Sequence, residues 1–339
     1  MNRMYCTVRE VLDDLELNGV RSEASLYAHI QTASEWIDRN IGQFIPVTAT
    51  RNFTGEGKIY LFIDPLLAIT SIVDDGTTLA AADYILLPRN KHWEDGPYTY
   101  IETDPDGARS VFTANGLIAI AGKWGKYNLS KATGATLGAA ITTTSAVSLL
   151  ASDGSLISPG MVCLIDTEQV LATAAGAWTD STANLGAAIT DTSGESITLT
   201  DGTKVNVGEI IKIDLEQMKV TSVTANVAGV IRGWNDTTRA THLIAADVYV
   251  QRTYTIERGC NGTTAATHLI SAPISRYCPP QDINWLCREI AGLAMKKAKS
   301  GYAGKVGNAE TGEVFYVSEF PQETIKKIKR AYTIQSESF

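Results

Sequence analysis

The spacing of apolar residues changes twice along the chain, from helical to strand-like and back to helical. Near the start, Thr7 and Glu10 form a T-x-x-E capping box, and apolar residues follow three and four positions apart. This spacing is typical of a helix that buries one face. Asn18-Gly19 is expected to end this helix, and Ser22 is expected to cap a second one. The apolar stripe of the second helix, over 22–42, consists of Leu26, Ile30, Ala33, Ile37 and Ile41.

Between Pro46 and Tyr127, short runs of β-branched and aromatic residues alternate with turn signals such as Gly55-Glu56-Gly57 and Asp74-Asp75-Gly76. Such runs favour strands, and such turns favour tight connections between them. The segment 104–107, Asp-Pro-Asp-Gly, is similar to the start of a calcium loop. It lacks the remaining ligand spacing, and its proline suits a plain turn. We therefore predict short strands joined by turns, without a calcium site.

The middle of the chain contains a duplication. Residues 137–170 read LGAAITTTSAVSLLASDGSLISPGMVCLIDTEQV, and residues 185–218 read LGAAITDTSGESITLTDGTKVNVGEIIKIDLEQM. A second pair follows, RGWNDTTRATHLI at 232–244 and RGCNGTTAATHLI at 258–270. Because both first halves precede both second halves, this is not a simple tandem array. We predict a unit at 185–250 nested inside a unit made of 137–178 plus 251–276, each a small sandwich or barrel.

Helical spacing returns after Pro279-Pro280, since proline is tolerated at the first turn of a helix. The apolar stripe of this helix, over 279–299, is Ile283, Leu286, Cys287, Ile290, Leu293 and Ala294. A glycine-rich link over 301–312 and a short strand over 314–317 are expected next. A last helix then places Ile325, Ile328 and Tyr332 on one face, surrounded by Lys326, Lys327, Lys329 and Arg330.

Composition limits the classes of function. The chain has 339 residues, so two or three domains are expected, and 44% hydrophobic with 19% charged residues favours a globular protein. A formal net charge of −8 disfavours tight nucleic-acid binding, although weak contact with passing DNA is compatible with it. No apolar run is long enough to span a bilayer. At the start of the chain, acidic residues precede any apolar run, so we expect no secretory signal.

The inventory of reactive residues is small. Five scattered cysteines without a CxxC spacing suggest buried apolar side chains in a reducing compartment, not a disulfide frame or zinc site. His242 and His268 occupy equivalent repeat positions, and a turn structure supported by the neighbouring Asn and Thr residues explains them better than a metal site. We predict that the chain is not an enzyme and has no catalytic, cofactor-binding or metal-binding residues.

The duplicated pairs Asp166/Glu168 and Asp214/Glu216 leave one hydrolytic alternative, because two carboxylates can perform acid–base catalysis. Residues that recur with a repeated fold more often serve the fold, so a hairpin turn is the preferred interpretation.

Several segments toward the two ends of the chain are similar to one known family. They are Ala33–Asp38, Thr50–Gly55, Tyr60–Asp64, Asp74–Thr77, Leu86–Asn90, Gly122–Gly125 and the basic C-terminal helix. In this order they resemble the phage head–tail connector family, the adaptor or head-completion proteins. The RG-x-N-x-T-T-x-A-T-H segments are similar to turns of other phage neck and tail proteins. The likeness is to residues 1–128 and 278–339, and the β-rich stretch 129–277 departs from the compact family form.

The resemblance implies an α+β fold. A helical-bundle and β-hairpin connector domain, 1–128 plus 278–339, would be interrupted by an all-β insertion, 129–277, of two nested units. It also implies a closed homo-oligomeric ring of about twelve subunits in the virion neck. The expected partners are the portal protein, a tail, stopper or nozzle protein, and genome DNA passing transiently through the channel. Assembly would take place in the host cytoplasm, without a membrane partner.

Two sets of residues are expected to carry this assembly. The ring interface is predicted at Leu26, Ile30, Ile37, Ile283, Leu286 and Ile290. Portal docking is predicted at Ile325, Ile328, Tyr332, Lys326, Lys327 and Arg330. The alternative function is a virion β-domain that binds a host surface glycan, for which the available aromatic residues are Trp178, Trp234 and Tyr249.

Overall fold

The computed structural model describes residues 3–14, 23–89, 97–299, 305–308, 313–316 and 322–332. Within these ranges the chain has four α-helices and twenty β-strands, and most of the strands belong to three antiparallel sheets of six strands each. None of the helices described is long and apolar enough to cross a membrane. The predicted helix end at Asn18-Gly19, the cap at Ser22 and most of the 301–312 link lie outside the described residues.

The expected fold class is wrong in its main feature. The chain is mostly β, and residues 47–124 form a complete six-stranded sheet in place of hairpins attached to a helical bundle. The physical reason is that the β-branched and aromatic runs of this segment pair with one another along most of their length. They bury a core of their own around Leu66, Ile72 and Trp124.

The helices are α1 (Val8–Asp14), α2 (Glu23–Asn40), α3 (Gln281–Lys299) and α4 (Gln322–Tyr332). The predicted capping box is confirmed, because the Glu10 N–H donates to Thr7 Oγ1 at 3.2 Å and the Thr7 N–H donates to Glu10 Oε2 at 2.9 Å. The helices α2 and α3 pack against each other along their apolar stripes. Their shared core extends to Val162, Leu171 and Tyr277, so the helices also lie on the β-rich middle part.

The first sheet, sheet A, contains β1 (Val47–Thr54), β2 (Tyr60–Asp74), β3 (Thr77–Leu79), β4 (Tyr84–Leu87), β5 (Tyr98–Thr103) and β6 (Leu117–Trp124). Its order is β1-β6-β2-β5-β4, and β3 pairs with β2. The long strand β2 pairs with both β5 and β6, which makes it the centre of the sheet. Trp124 is completely buried, and its indole N–H donates to the Ala49 carbonyl at 2.8 Å.

The remaining strands follow in chain order. They are β7 (Ser130–Thr136), β8 (Ser148–Leu150), β9 (Val162–Ile165), β10 (Glu168–Ala175), β11 (Thr179–Asn184), β12 (Ser196–Thr198), β13 (Ile210–Ile213), β14 (Glu216–Thr224), β15 (Val227–Arg232), β16 (Asp247–Val250), β17 (Thr253–Glu257), β18 (Pro273–Tyr277), β19 (Lys305–Asn308) and β20 (Glu313–Tyr316). The last two form a separate pair.

Two closed β units form the middle of the chain. The outer barrel has the order β7-β18-β9-β10-β17-β8, and a bridge between Leu137 and Ala151 joins its two terminal strands. The inserted barrel has the order β11-β16-β13-β14-β15-β12 and is closed in the same way by Leu185 and Leu199. Strands from both sides of the inserted barrel build the outer one, so the strand pairing is nested. The grouping of 1–128 with 278–339 as one connector domain stays a prediction.

The two barrels differ at one turn position. In the outer barrel this position is Gly262, with φ +78°, and a Cβ atom there would lie 1.9 Å from the Thr48 carbonyl oxygen of sheet A. In the inserted barrel the equivalent position is Asp236, with φ 57°. The turn itself therefore accepts a side chain. Gly262 is required because sheet A approaches the backbone of the outer barrel at this point.

We predict that Gly262→Ala destabilises the protein by about 2 kcal/mol or more, because the new methyl group must displace the Thr48 carbonyl. The control is Asp236→Ala, which places alanine at the same turn position of the inserted barrel, where the residue present already has a Cβ atom. Urea denaturation measures both changes. Equal losses of stability in the two variants would show that backbone strain alone, not the approach of sheet A, explains the glycine.

Candidate functional site

Each barrel contains the same cluster of charged side chains, which we call a carboxylate clasp. The outer clasp is Asp166, Glu168, Arg258 and His268, and the inserted clasp is Asp214, Glu216, Arg232 and His242. The repeated sequence positions the two clasps equivalently. The aspartate lies in the turn before a strand, the glutamate begins that strand, and the arginine and histidine come from the RG…TH segment.

The histidine of each clasp lies between the two carboxylates. In the outer clasp His268 Nδ1 is 2.7 Å from Asp166 Oδ2, and His268 Nε2 is 2.8 Å from Glu168 Oε2. In the inserted clasp the corresponding distances from His242 are 2.7 and 3.0 Å. Both histidine side chains are 1% exposed. Carboxylate oxygens only accept hydrogen bonds, so both ring nitrogens have partners in place and neither is open to a substrate.

The glutamate is the centre of each clasp. Arg258 donates to both oxygens of Glu168 from Nε and Nη2, each at 2.7 Å. The backbone N–H groups of Gly259 and Ala266 also donate to Glu168, each at 2.9 Å. In the inserted clasp, Glu216 and Arg232 make the same bidentate pair at 2.8 and 2.6 Å, and both side chains are fully buried. Bidentate arginine–carboxylate pairs are among the stronger hydrogen-bonded contacts in proteins.

These hydrogen bonds determine the protonation of the glutamates. Burial by itself raises the pKa of Glu168, but the hydrogen bonds from Arg258, Ala266, His268 and Gly259 together lower the pKa to about 2. The pKa of Glu216 is also lowered to about 2, because the same kinds of contact outweigh its burial. Each glutamate is therefore ionised at neutral pH, and its oxygens are already occupied by donors. This arrangement suits a structural anion and leaves no free oxygen for acid–base catalysis.

A second set of hydrogen bonds joins the repeated asparagine, glutamine and threonine residues of each barrel. Asn261 Nδ2 donates to Gln169 Oε1 at 2.9 Å, and the Gln169 N–H donates to Thr263 Oγ1 at 2.9 Å. Asn235, Gln217 and Thr237 repeat these contacts at 2.8 and 2.9 Å in the inserted barrel. The prediction that the asparagines and threonines stabilise the turns is confirmed. The sequence analysis did not identify Arg232 and Arg258 as partners of the glutamates. The available signal was that each is the first residue of an RG segment, and that each repeat has one pair of carboxylates with which it can form an ion pair.

The clasps hold two exposed apolar pairs at fixed positions. Directly after the buried histidines, Leu243 and Ile244 are 80% and 62% exposed, and Leu269 and Ile270 are 80% and 61% exposed. The backbone of each pair is fixed by a short turn, in which the Ala246 N–H donates to the Leu243 carbonyl at 3.3 Å and an equivalent bond follows Leu269. We call these pairs the Leu-Ile turns. Their equal exposure in both barrels follows from the shared clasp.

The predicted ring-interface residues lie inside the chain. Leu26, Ile30, Ile37, Ile283, Leu286 and Ile290 are all between 0% and 7% exposed. They form the helical core together with residues of the outer barrel. Because α2 and α3 bury each other's stripes, these side chains are not exposed for contact with a second subunit.

The predicted portal-docking residues separate into two groups. Ile325 and Ile328 are each 7% exposed and belong to the helical core, so charged substitutions there would disturb the packing of α4. The Tyr332 hydroxyl donates to Asp282 Oδ1 at 2.8 Å. On the outer side of α4, Lys326, Lys327 and Arg330 are exposed, and Lys326 pairs with Glu323 at 2.8 Å. Only this basic side is accessible to a partner.

The aromatic residues proposed for a glycan do not form an open platform. Trp234 is 7% exposed. Trp178 and Tyr249 are half-buried, and Lys212 Nζ lies 5.3 Å and 5.1 Å from the centres of their rings. A sugar that stacked on these faces would have to displace the lysine. In the part of the chain that the structure describes, no group of three or more His, Cys, Asp or Glu residues could hold a metal ion.

No protein-family model matches this chain, and no curated protein matches its sequence.

We predict that Glu168→Gln and Glu216→Gln each destabilise the protein by about 3–5 kcal/mol, because each leaves a buried arginine without its anion. The control is Asp214→Asn. Its side chain is 63% exposed, so losing its charge beside His242 should cost about 1 kcal/mol or less. Chemical denaturation at neutral pH measures the three values. A loss as large in the control as in the glutamate variants would contradict the central role of the glutamates.

The same glutamates predict an acid dependence. Their pKa is lower in the folded protein than in the unfolded chain, so their contribution is complete above about pH 4.5 and is lost as the pH falls toward 2. Each contributes about 3 kcal/mol over this window. We expect the unfolding free energy to fall steeply from pH 5 to pH 2.5, and less steeply in Glu216→Gln. An unchanged pH profile in that variant would refute the assignment.

Proposed function

We propose that this chain is a structural subunit of a tailed-phage neck, one copy of a ring that joins the portal vertex of the head to the tail. The observation that carries the proposal is the set of large apolar residues that the fold leaves outside, in particular the two Leu-Ile turns. A monomer gains nothing by exposing four such side chains at fixed positions, whereas an assembled subunit can bury them. The resemblance of the two ends of the chain to the phage head–tail connector family suggests that this assembly is a ring in the phage neck.

A second exposed apolar surface lies on sheet A. Tyr60 and Phe62 on β2 are 39% and 54% exposed. Their ring centres are 5.4 Å apart, and the ring of Tyr100 on β5 lies 6.0 Å from Phe62. We call this row the aromatic ladder. Aromatic residues are enriched in protein interfaces, so the aromatic ladder and the Leu-Ile turns are together the surfaces that suit contacts between subunits.

Contacts between neighbouring subunits of a closed ring are heterologous, which means that one surface of each subunit meets a different surface of the next. The helical core cannot provide either surface, because its apolar residues are buried within the chain. We therefore propose that the ring interface consists of surfaces of the barrels and sheet A, and not of α2 and α3. The basic outer side of α4 is then the proposed docking surface for the portal.

Charge supports passage of DNA through such a ring. Each subunit has a formal net charge of −8, and a ring of acidic subunits repels the phosphate backbone. A channel of this kind lets the genome slide without adhering. Among the described residues, the clasps use their buried carboxylates structurally, which suits a scaffold better than a hydrolase.

The direct test is negative-stain imaging and sedimentation of the purified chain, alone and with the portal protein of the same phage. We expect rings, either spontaneously or on addition of the portal, with one ring bound per portal. A chain that stays monomeric and unbound with the portal present would contradict the proposal.

The surface assignment has its own test. We expect Leu243→Ser combined with Leu269→Ser to leave folding intact, because both side chains are 80% exposed, and to weaken ring formation by about tenfold or more. The control is Val147→Ser, since Val147 is 68% exposed but belongs to no Leu-Ile turn. Native mass spectrometry measures the populations of rings and monomers. Rings formed equally well by the double variant would exclude the Leu-Ile turns from the interface.

The docking surface is tested by charge reversal. Lys327→Glu with Arg330→Glu changes two exposed residues of α4, so we expect normal folding, normal rings and at least tenfold weaker portal binding at low salt. Binding is measured by co-sedimentation. The matched control is Lys296→Glu with Lys297→Glu, which reverses two exposed charges on α3, and loss of binding in the control as well would point to a general charge effect.

A further inference from the structure

Two cysteines far apart in the sequence meet in the helical core. Cys6 Sγ and Cys287 Sγ lie 3.3 Å apart, although 281 positions separate the two residues. The two residues are 2% and 0% exposed, and neither forms a disulfide bond in this structure. A disulfide bond has a length of about 2.05 Å, so the two sulfur atoms need to approach each other by little more than about 1 Å.

The backbone around both thiols is held in place by neighbouring contacts. The Tyr5 N–H donates to Ser34 Oγ at 3.1 Å, and Ser34 Oγ lies 3.4 Å from Cys287 Sγ. Asn284 Nδ2, one turn before Cys287 on α3, donates to the Tyr5 carbonyl at 2.9 Å. The N-terminal segment, residues 3–7, is therefore held against α2 and α3 next to the thiol pair. These contacts keep the two sulfur atoms within about 1.3 Å of bonding distance in the folded chain.

We propose that Cys6 and Cys287 form a redox-sensitive pair that closes to an intramolecular disulfide when the protein meets a small-molecule disulfide, and so fastens the N-terminal segment to α3. One cysteine thiolate attacks the reagent, forms a mixed disulfide and releases one reagent thiol. The other cysteine then attacks the mixed disulfide, which forms the Cys6–Cys287 bond and releases the second thiol. The two protein thiols together lose two electrons and two protons. The reagent disulfide gains these electrons and protons and becomes two thiols.

Burial makes this reaction slow and selective. Burial is the largest cause that raises the pKa of the Cys6 thiol, and its hydrogen bond to Cys287 raises the pKa further. Thiols of raised pKa react slowly with external reagents, so attack requires a local opening of the N-terminal segment. Once one cysteine has reacted, its partner is the nearest thiol when the segment closes again. The pair is therefore expected to yield a bond between the two cysteines and not a stable mixed disulfide.

The disulfide would have a large effect on the unfolded chain. It closes a loop that includes sheet A and both barrels, because these lie between residues 6 and 287. Cross-links across long loops restrict the unfolded state most strongly. We expect the oxidised protein to have a Tm higher by about 5 °C or more than the reduced protein. The N-terminal segment would then stay attached to α3 under conditions that release it from the reduced chain.

The test uses the purified full-length chain, incubated without denaturant with bis(2-hydroxyethyl) disulfide and then quenched with an alkylating reagent. In a sample taken before alkylation, we expect an intact mass lower by two hydrogens than that of the untreated chain, without an adduct of the disulfide reagent. We also expect faster migration on a non-reducing gel and a cross-linked peptide that joins Cys6 to Cys287. Cys163→Ser should keep all three signals, because it removes another buried thiol. Cys6→Ser and Cys287→Ser should lose them.

Several results would overturn the proposal. They are a stable reagent adduct without a cross-link, a cross-link between other cysteines, no reaction of the folded chain, or an oxidised chain with a Tm equal to or below that of the reduced chain. If Cys6→Ser does not fold, the peptide map of the unsubstituted protein still decides which cysteines are joined. None of these readouts depends on ring formation, so the result is independent of the proposed function.

Discussion

The buried pair of a glutamate with an arginine is the contact on which both barrels depend. In the inserted barrel Glu216 and Arg232 are fully buried, and an ion removed from water is tolerated only when its remaining oxygens or N–H groups also find partners. This requirement explains why the turn backbone bends until Gly233 and Ala240 direct their N–H groups at Glu216. The geometry of the whole turn, including the exposed Leu-Ile pair, follows from the need to satisfy one anion.

The nested arrangement is stable for a related reason. In chain order, β11 is the first strand of the inserted barrel and β16 is the last. These two strands pair with each other, with Thr179 opposite Val250, so the chain enters and leaves the inserted barrel at neighbouring positions. The insertion therefore interrupts the outer barrel without separating its strands. Glu209 of the inserted barrel then accepts hydrogen bonds from the Gly154 N–H at 2.9 Å and from Arg252 at 2.6 Å. One buried carboxylate thus couples the two barrels at their junction.

Local patterns in the sequence predicted the local structure well. The capping box at Thr7 and Glu10, the strand-like runs before Tyr127 and the repeat all correspond to observed elements. What the sequence did not predict are contacts between distant residues. Nothing local shows that β1 pairs with β6 in sheet A, or that Cys6 meets Cys287. Such contacts depend on how complete elements pack, and the spacing of residues along one sequence does not show which elements pack together.

The helical stripes show how this limitation affects functional inference. An apolar stripe predicts that a helix face will be buried, but it does not distinguish a neighbouring helix of the same chain from a neighbouring subunit. In the folded chain, Ile30 on α2 and Ile290 on α3 are both buried in the core that the two helices share. Residues that remain for a subunit contact are those that the folded chain cannot cover. The exposed Leu-Ile turns therefore support the proposed assembly better than the buried helical core does.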